Sequence, residues 1–135
     1  MLRYLIAWLG AGLVMGGLDF IWLTTTNASL YRPVLGSILL PTVRGVPAIA
    51  FYVVYLVGAV IFAVRPAMRS GDWREATLMG ALFGFFAYAT YDLTNQATLV
   101  VWETRITLLD LCWGTFLTAC ASTAGFFASR LIKSS

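Results

Sequence analysis

Three aspartates interrupt long apolar runs in this chain, and they are the residues best placed to do chemistry: Asp19, Asp92 and Asp110. An aspartate near the centre of a membrane-spanning helix costs ~2.5–3.5 kcal/mol on insertion scales, so it turns toward a partner, a cavity or water rather than lipid. Carboxylates gathered at close range cannot all ionise. Such a group could hold a proton near neutral pH or take up a cation. Asp19 lies sixteen residues beyond Arg3, Asp92 eighteen beyond Arg74, and Asp110 twenty before Arg130. At the helical rise of ~1.5 Å per residue, the acids stand ~24–30 Å from one line of basic residues. All three are therefore expected in the outer half of a membrane, at nearly one height.

The neighbouring residues suit a polar site. Trp22 shares a helix face with Asp19, and Trp113 with Asp110, because both stretches read L-D-x-x-W and a spacing of three residues aligns side chains. These two stretches are read as two walls of one site. Tyr88, Tyr91 and Asn95 lie on one face beside Asp92, with Thr94 and Gln96 nearby, and Tyr52 and Tyr55 fall at comparable depth. The candidate ligand- or proton-binding set is thus Asp19, Asp92, Asp110, Asn95, Trp22, Trp113, Tyr52, Tyr88 and Tyr91. Arg32, Arg44 and Arg105 are the cations within reach. If they paired with the acids, the cluster would lock the helices together instead of binding a guest.

Other chemistry has little to work with. There is no histidine, which removes the usual imidazole acids, bases and metal ligands, so haem, zinc and iron–sulfur sites are not expected. No cofactor and no resident metal are expected. Cys112 and Cys120 are the only cysteines. Eight residues apart on one helix, they are ~12 Å apart along the axis, too far to bridge, and they read as small buried hydrophobes.

These groups need helices to hold them. Of 135 residues, 60% are hydrophobic and 11% charged, where a soluble domain carries about 25% charged residues. The mean hydropathy is +0.83. A helix needs ~20 mainly apolar residues to cross the hydrocarbon core. Segments of about 4–24, 46–64, 77–102 and 106–131 meet that need, predicting one all-α domain over 1–135, a four-transmembrane-helix bundle. Residues 65–76 read as a short charged turn. Residues 25–45, with Pro33, Gly36, Pro41 and Gly45, read as an external loop lying along the membrane with a short interfacial helix. Gly12 with Gly16 and Gly80 with Gly84 form GxxxG close-packing signals. Gly114, Ala121, Ala124, Gly125 and Ala128 continue a small-residue stripe below Asp110 that should pack inward and take this acid with it.

Charge sets the expected orientation. Arg3, Arg65, Arg69, Arg74, Arg130 and Lys133 lie on the side that holds both termini, against Arg32, Arg44 and Arg105 on the other. The positive-inside rule then places both termini in the cytoplasm. The net charge of +3 comes from single residues at span ends and forms no patch for nucleic acid.

The block Tyr91-Asp92-Leu93-Thr94-Asn95-Gln96-Ala97-Thr98-Leu99 is distinctive. So are Gly80-Ala81-Leu82-Phe83-Gly84, Asp19-Phe20-Ile21-Trp22-Leu23, Phe51-Tyr52-x-x-Tyr55 and Asp110-Leu111-Cys112-Trp113-Gly114. With them the chain resembles, over nearly its whole length, an uncharacterised family of small bacterial inner-membrane proteins. It departs at Thr24, where relatives tend to have Gly. The resemblance implies a multi-pass bacterial inner-membrane protein and supplies no activity.

Three functions fit the residues. An outward-facing acidic and aromatic cavity could bind or transport a proton, a cation or a polar-headed amphiphile. A structural or accessory subunit could pair its acids internally and dock its glycine faces on a larger membrane complex or a second copy. An enzyme acting on a lipid or isoprenoid could use two carboxylates as acid and base, although no nucleophile–base pair is visible and metal assistance would require Mg²⁺ or Ca²⁺ on the carboxylates. Membrane lipids are the expected surroundings in each case.

Overall fold

A computed structural model describes residues 1–132, so Lys133, counted above for orientation, lies outside the described residues. Every regular element among them is helical. The first helical rod, α1, runs Leu2–Leu35, and α2 runs Gly45–Ser70. The third, α3, is Trp73–Thr98, and α4 is Thr104–Ser129.

Three of these rods, α1, α2 and α4, are long and apolar enough to cross a membrane. The third expected span differs. α3 has the length, at 26 residues, but Arg74, Glu75, Asp92, Asn95, Gln96 and a series of threonines make it the least apolar. It also stops at Thr98, so Trp102 falls in the link to α4 rather than inside a helix.

Two expected loops are largely helical, for one physical reason. The external loop over 25–45 shrinks because α1 continues through a π turn, Asn27–Tyr31, into Arg32–Leu35. The charged turn over 65–76 shrinks because α2 continues through a second π turn, Val60–Val64, into Arg65–Ser70. Each π turn immediately precedes an Arg-Pro pair, Arg32-Pro33 or Arg65-Pro66. Proline lacks an N–H and its ring collides with the carbonyl four residues back. Widening the preceding turn so that the Arg N–H reaches the carbonyl five residues back, Asn27 or Val60, relieves the crowding and lets the helix proceed. The Leu30 and Leu35 side chains are then buried against Ile106, so the extension docks on the start of α4 instead of spreading along a membrane surface. α2 ends at Gly71, whose φ of 77° is a left-handed conformation that suits glycine. Asp72 then caps α3 by accepting from the Arg74 N–H at 2.9 Å.

α4 is the hub. Along α3 and α4 the packed pairs run in opposite senses: Gly80 meets Ser122, Gly84 meets Thr118, and Tyr88 meets Gly114. α1 is also antiparallel to α4, with Arg3 donating to the Ser129 carbonyl at 3.2 Å, Ala7 against Gly125, and Asp19 opposite Trp113. The α4 face bearing Asp110, Gly114, Ala121 and Gly125 is buried, as the small-residue stripe predicts. A Cβ on Gly84 would run into the Gly114 carbonyl and Thr118, and one on Gly114 into the Tyr88 ring. On α1 the pattern holds in part: Gly12 lies close against Leu56 of α2. Gly16 and Gly17 are exposed with open space before them, and the tight surface is Ala7, Ala11 and Met15, all fully buried. Cys112 is exposed on the outer side of α4 and Cys120 half-buried, which corrects the expectation that both are interior.

Candidate functional site

The register of α1 against α4 decides what the two L-D-x-x-W stretches do. Because the helices run in opposite directions, the Trp of each stretch comes level with the Asp of the other. The Trp113 indole N–H donates to Asp19 Oδ1 at 3.1 Å. The Trp22 indole N–H donates to the Tyr31 hydroxyl at 2.9 Å, and that hydroxyl donates to Asp110 Oδ1. Between the two acids the indoles stack, centroids 4.5 Å apart and planes 8° from parallel. Tyr52 of α2 completes the Asp19 carboxylate, donating to Oδ2 at 2.6 Å.

Asp19 is therefore satisfied at both oxygens by neutral donors. Asp92 is the opposite case. Its side chain is 0% exposed, and neither carboxyl oxygen has a hydrogen-bond donor. What it faces is Asp110, whose carboxyl lies within hydrogen-bonding reach. The three acids converge from α1, α3 and α4 through a series of contacts: Asp19, the indole stack, Tyr31, Asp110, Asp92. Among the described residues no group of three or more His, Cys, Asp or Glu side chains could hold a metal ion.

The arginines stand elsewhere. Among the described residues, the ion pair is Arg105 with Glu103 at 3.8 Å, both well exposed. Arg32 and Arg44 are exposed, and neither forms a salt bridge to an embedded acid. The reading of Arg32, Arg44 and Arg105 as charge partners is thus overturned: tyrosine and tryptophan take that role. An ion pair buried in apolar surroundings costs heavily in desolvation, whereas a neutral O–H or N–H carries a smaller penalty.

The remaining candidates divide. Tyr88 packs over Gly114 at the edge of the cluster. Tyr91 points outward, 62% exposed, and meets Trp102 edge-on at 5.9 Å. Asn95 is half-buried and stands outside the chain of bonds joining the acids. Gln96 closes the α3–α4 corner: it donates to Thr104 at 2.8 Å and accepts from Thr107 at 2.7 Å, and Thr107 accepts from Trp102 at 3.0 Å. The acids are buried rather than lining an open vestibule, with Asp19 and Asp110 each 7% exposed. An open space of about 400 Å³ lies between α2 and α3 and is lined by Phe51, Tyr55, Ala87, Tyr88 and Tyr91.

Sequence reasoning missed Tyr31. A tyrosine assigned to an external loop gives no sign of reaching an embedded acid. The available signal was Arg32-Pro33, which permits a π turn and a continuing helix. Thr118 was also missed; it bonds Tyr55 at 2.7 Å in the buried interior.

Apolar helices of spanning length around a buried acidic cluster define an integral membrane protein of the helical class. Within that class the chain belongs to a family of predicted membrane proteins of unknown function, DUF2177, whose profile matches residues 4–127. No curated protein and no solved structure matches it.

Proposed function

We propose that this protein is a four-span membrane protein whose Asp92–Asp110 pair binds a proton, in exchange for a cation or a polar-headed amphiphile, while Asp19 holds the helices in register. One observation carries this reading: Asp92 is wholly buried, lacks any donor, and faces a second carboxyl. A buried polar group without a partner costs free energy, and an ionised one costs several kcal/mol. Two ionised carboxylates ~4 Å apart repel by on the order of 4 kcal/mol at an effective dielectric of ~20. One proton shared between them removes both penalties, because the protonated acid becomes the donor its neighbour lacks. The chain of Tyr31, Trp22, Trp113 and Tyr52 favours a structural role for Asp19, so the accessory-subunit reading is kept for that residue alone.

The polar composition of α3 is compatible with a fourth span. Thr90, Thr94 and Thr98 each return their hydroxyl to the carbonyl four residues back, which hides the polarity from lipid. Arg3, Arg65, Arg69, Arg74 and Arg130 support a bacterial inner-membrane placement with both termini in the cytoplasm. The partners under this reading are membrane lipid and a small cation or amphiphile, with a second copy or a larger complex as further company.

Infrared difference spectroscopy during a pH titration tests the proposal. A protonated carboxyl has a carbonyl stretch distinct from that of a carboxylate. The expected band is present near neutral pH in the unmodified protein and absent in Asp92→Asn. A spectrum with only carboxylate bands at neutral pH would overturn the proposal.

A further inference from the structure

We infer that the groove between α2 and α3 is the binding site for an organic cation of the quaternary-ammonium type, with the Asp92–Asp110 pair as its counter-charge. The inference rests on the proton-binding reading above and names the guest. Four of the five lining residues are aromatic: Phe51, Tyr55, Tyr88 and Tyr91. Ring faces attract a cation through their quadrupole, and an aromatic-walled recess is how quaternary ammonium groups are recognised. The volume of about 400 Å³ is within the range that holds a small organic molecule.

The negative charge lies behind the walls. Tyr91 precedes Asp92 in the chain and lies near both Asp92 and Asp110. Tyr88 lies near Asp19 and Asp110. Among the described residues no arginine forms a salt bridge to these acids, so the cluster has no cation of its own. In a low-dielectric interior the attraction between a bound cation and a nearby carboxylate is weakly screened. A cation arriving in the groove favours the ionised pair, and the shared proton leaves to water. Cation and proton then compete. The other titratable groups near the pair are Tyr31 and Asp19 of α1 and Tyr88 and Tyr91 of α3, while Tyr52 and Tyr55 of α2 lie near Asp19. Asp19 is already hydrogen-bonded at both oxygens and Asp92 has no donor, so the pair is the group that responds to an arriving cation.

The test uses the full chain in lipid nanodiscs, with benzyltrimethylammonium as probe and its neutral carbon isostere, neopentylbenzene, as control, each titrated calorimetrically. The cation is expected to bind at least about tenfold tighter than the isostere. Its affinity should rise with pH, and a pH-sensitive dye should report a proton released on binding. Tyr91→Leu, at an exposed position, and Asp92→Asn should each weaken the cation at least about tenfold and weaken the isostere by much less. Equal affinity for cation and isostere, or a cation affinity indifferent to both substitutions, overturns the inference. If the protonated-carboxyl band persists while the cation does not bind, the groove inference fails and the proton site stands. If the band is absent, the proton site itself fails.

Discussion

The Trp22 and Trp113 rings lie face to face, 4.5 Å apart and within 8° of parallel, and each directs its N–H toward the other's aspartate. Trp113 reaches Asp19 directly, and Trp22 reaches Asp110 through Tyr31. Two short stretches that share the L-D-x-x-W pattern on antiparallel helices thus make a reciprocal brace beside the acids. Stacked aromatic pairs are worth ~0.5–1.5 kcal/mol beyond their burial. A double-mutant cycle of Trp22→Leu and Trp113→Leu, read by reversible unfolding in mixed micelles, should give a coupling energy of about 1 kcal/mol or more. Additive effects would show that the rings act independently.

Tyr31 joins the brace to Asp110. Tyr31→Phe removes the donor from a nearly buried carboxylate, an omission that costs ~1–3 kcal/mol. Tyr4→Phe, where the hydroxyl has no side-chain partner among the described residues, should change stability by under ~0.5 kcal/mol. Denaturation midpoints of the two variants check the contrast, and equal midpoints would remove Tyr31 from the network.

The glycines give a prediction of opposite signs. In Gly84→Ala the new methyl meets the Gly114 carbonyl and Thr118, and overpacking of this kind costs ~1–3 kcal/mol. Gly16→Ala adds a methyl in open space and should be neutral or gain up to ~1 kcal/mol from helix propensity. Thermal unfolding in one detergent ranks the two. Destabilisation by Gly16→Ala equal to that by Gly84→Ala would indicate that this face of α1 is covered in the membrane.

The acids should respond unequally to amide substitution. Asp92→Asn places an N–H beside Asp110 and removes a buried charge, so stability should hold within ~0.5 kcal/mol or rise. Asp19→Asn turns an acceptor of two bonds into a group that can accept from only one of Tyr52 and Trp113 through its carbonyl oxygen. A loss of ~1–3 kcal/mol is expected. Equal losses in both variants would contradict the division between a structural Asp19 and a proton-binding Asp92.

Much of this arrangement was legible in the sequence, because residue period and spacing act locally. The inward stripe of α4 and the Gly80–Gly84 contact follow from helical geometry. What sequence did not reveal depends on packing between distant residues. Gly12 and Gly16 read as one contact surface, yet only Gly12 packs, against Leu56 of α2, while Gly16 faces open space and α4 covers the alanines beside them. Pro33 and Pro66 read as loop markers, yet a π turn before each lets the helix run on and carries Tyr31 to Asp110. The arginines looked like natural partners for the acids, but hydroxyls and indoles satisfy a carboxylate in an apolar interior at a smaller desolvation cost.

Convergence of the embedded acids is what the account stands on, and solid-state NMR of the chain in lipid, labelled with ¹³C at aspartate and ¹⁵N at tryptophan, measures it. A carboxyl–carboxyl cross-peak between Asp92 and Asp110 is predicted, absent in Asp92→Asn, together with a contact from the Asp19 carboxyl to the Trp113 indole nitrogen. Separate carboxyl signals with no Asp92–Asp110 contact at any mixing time would contradict it.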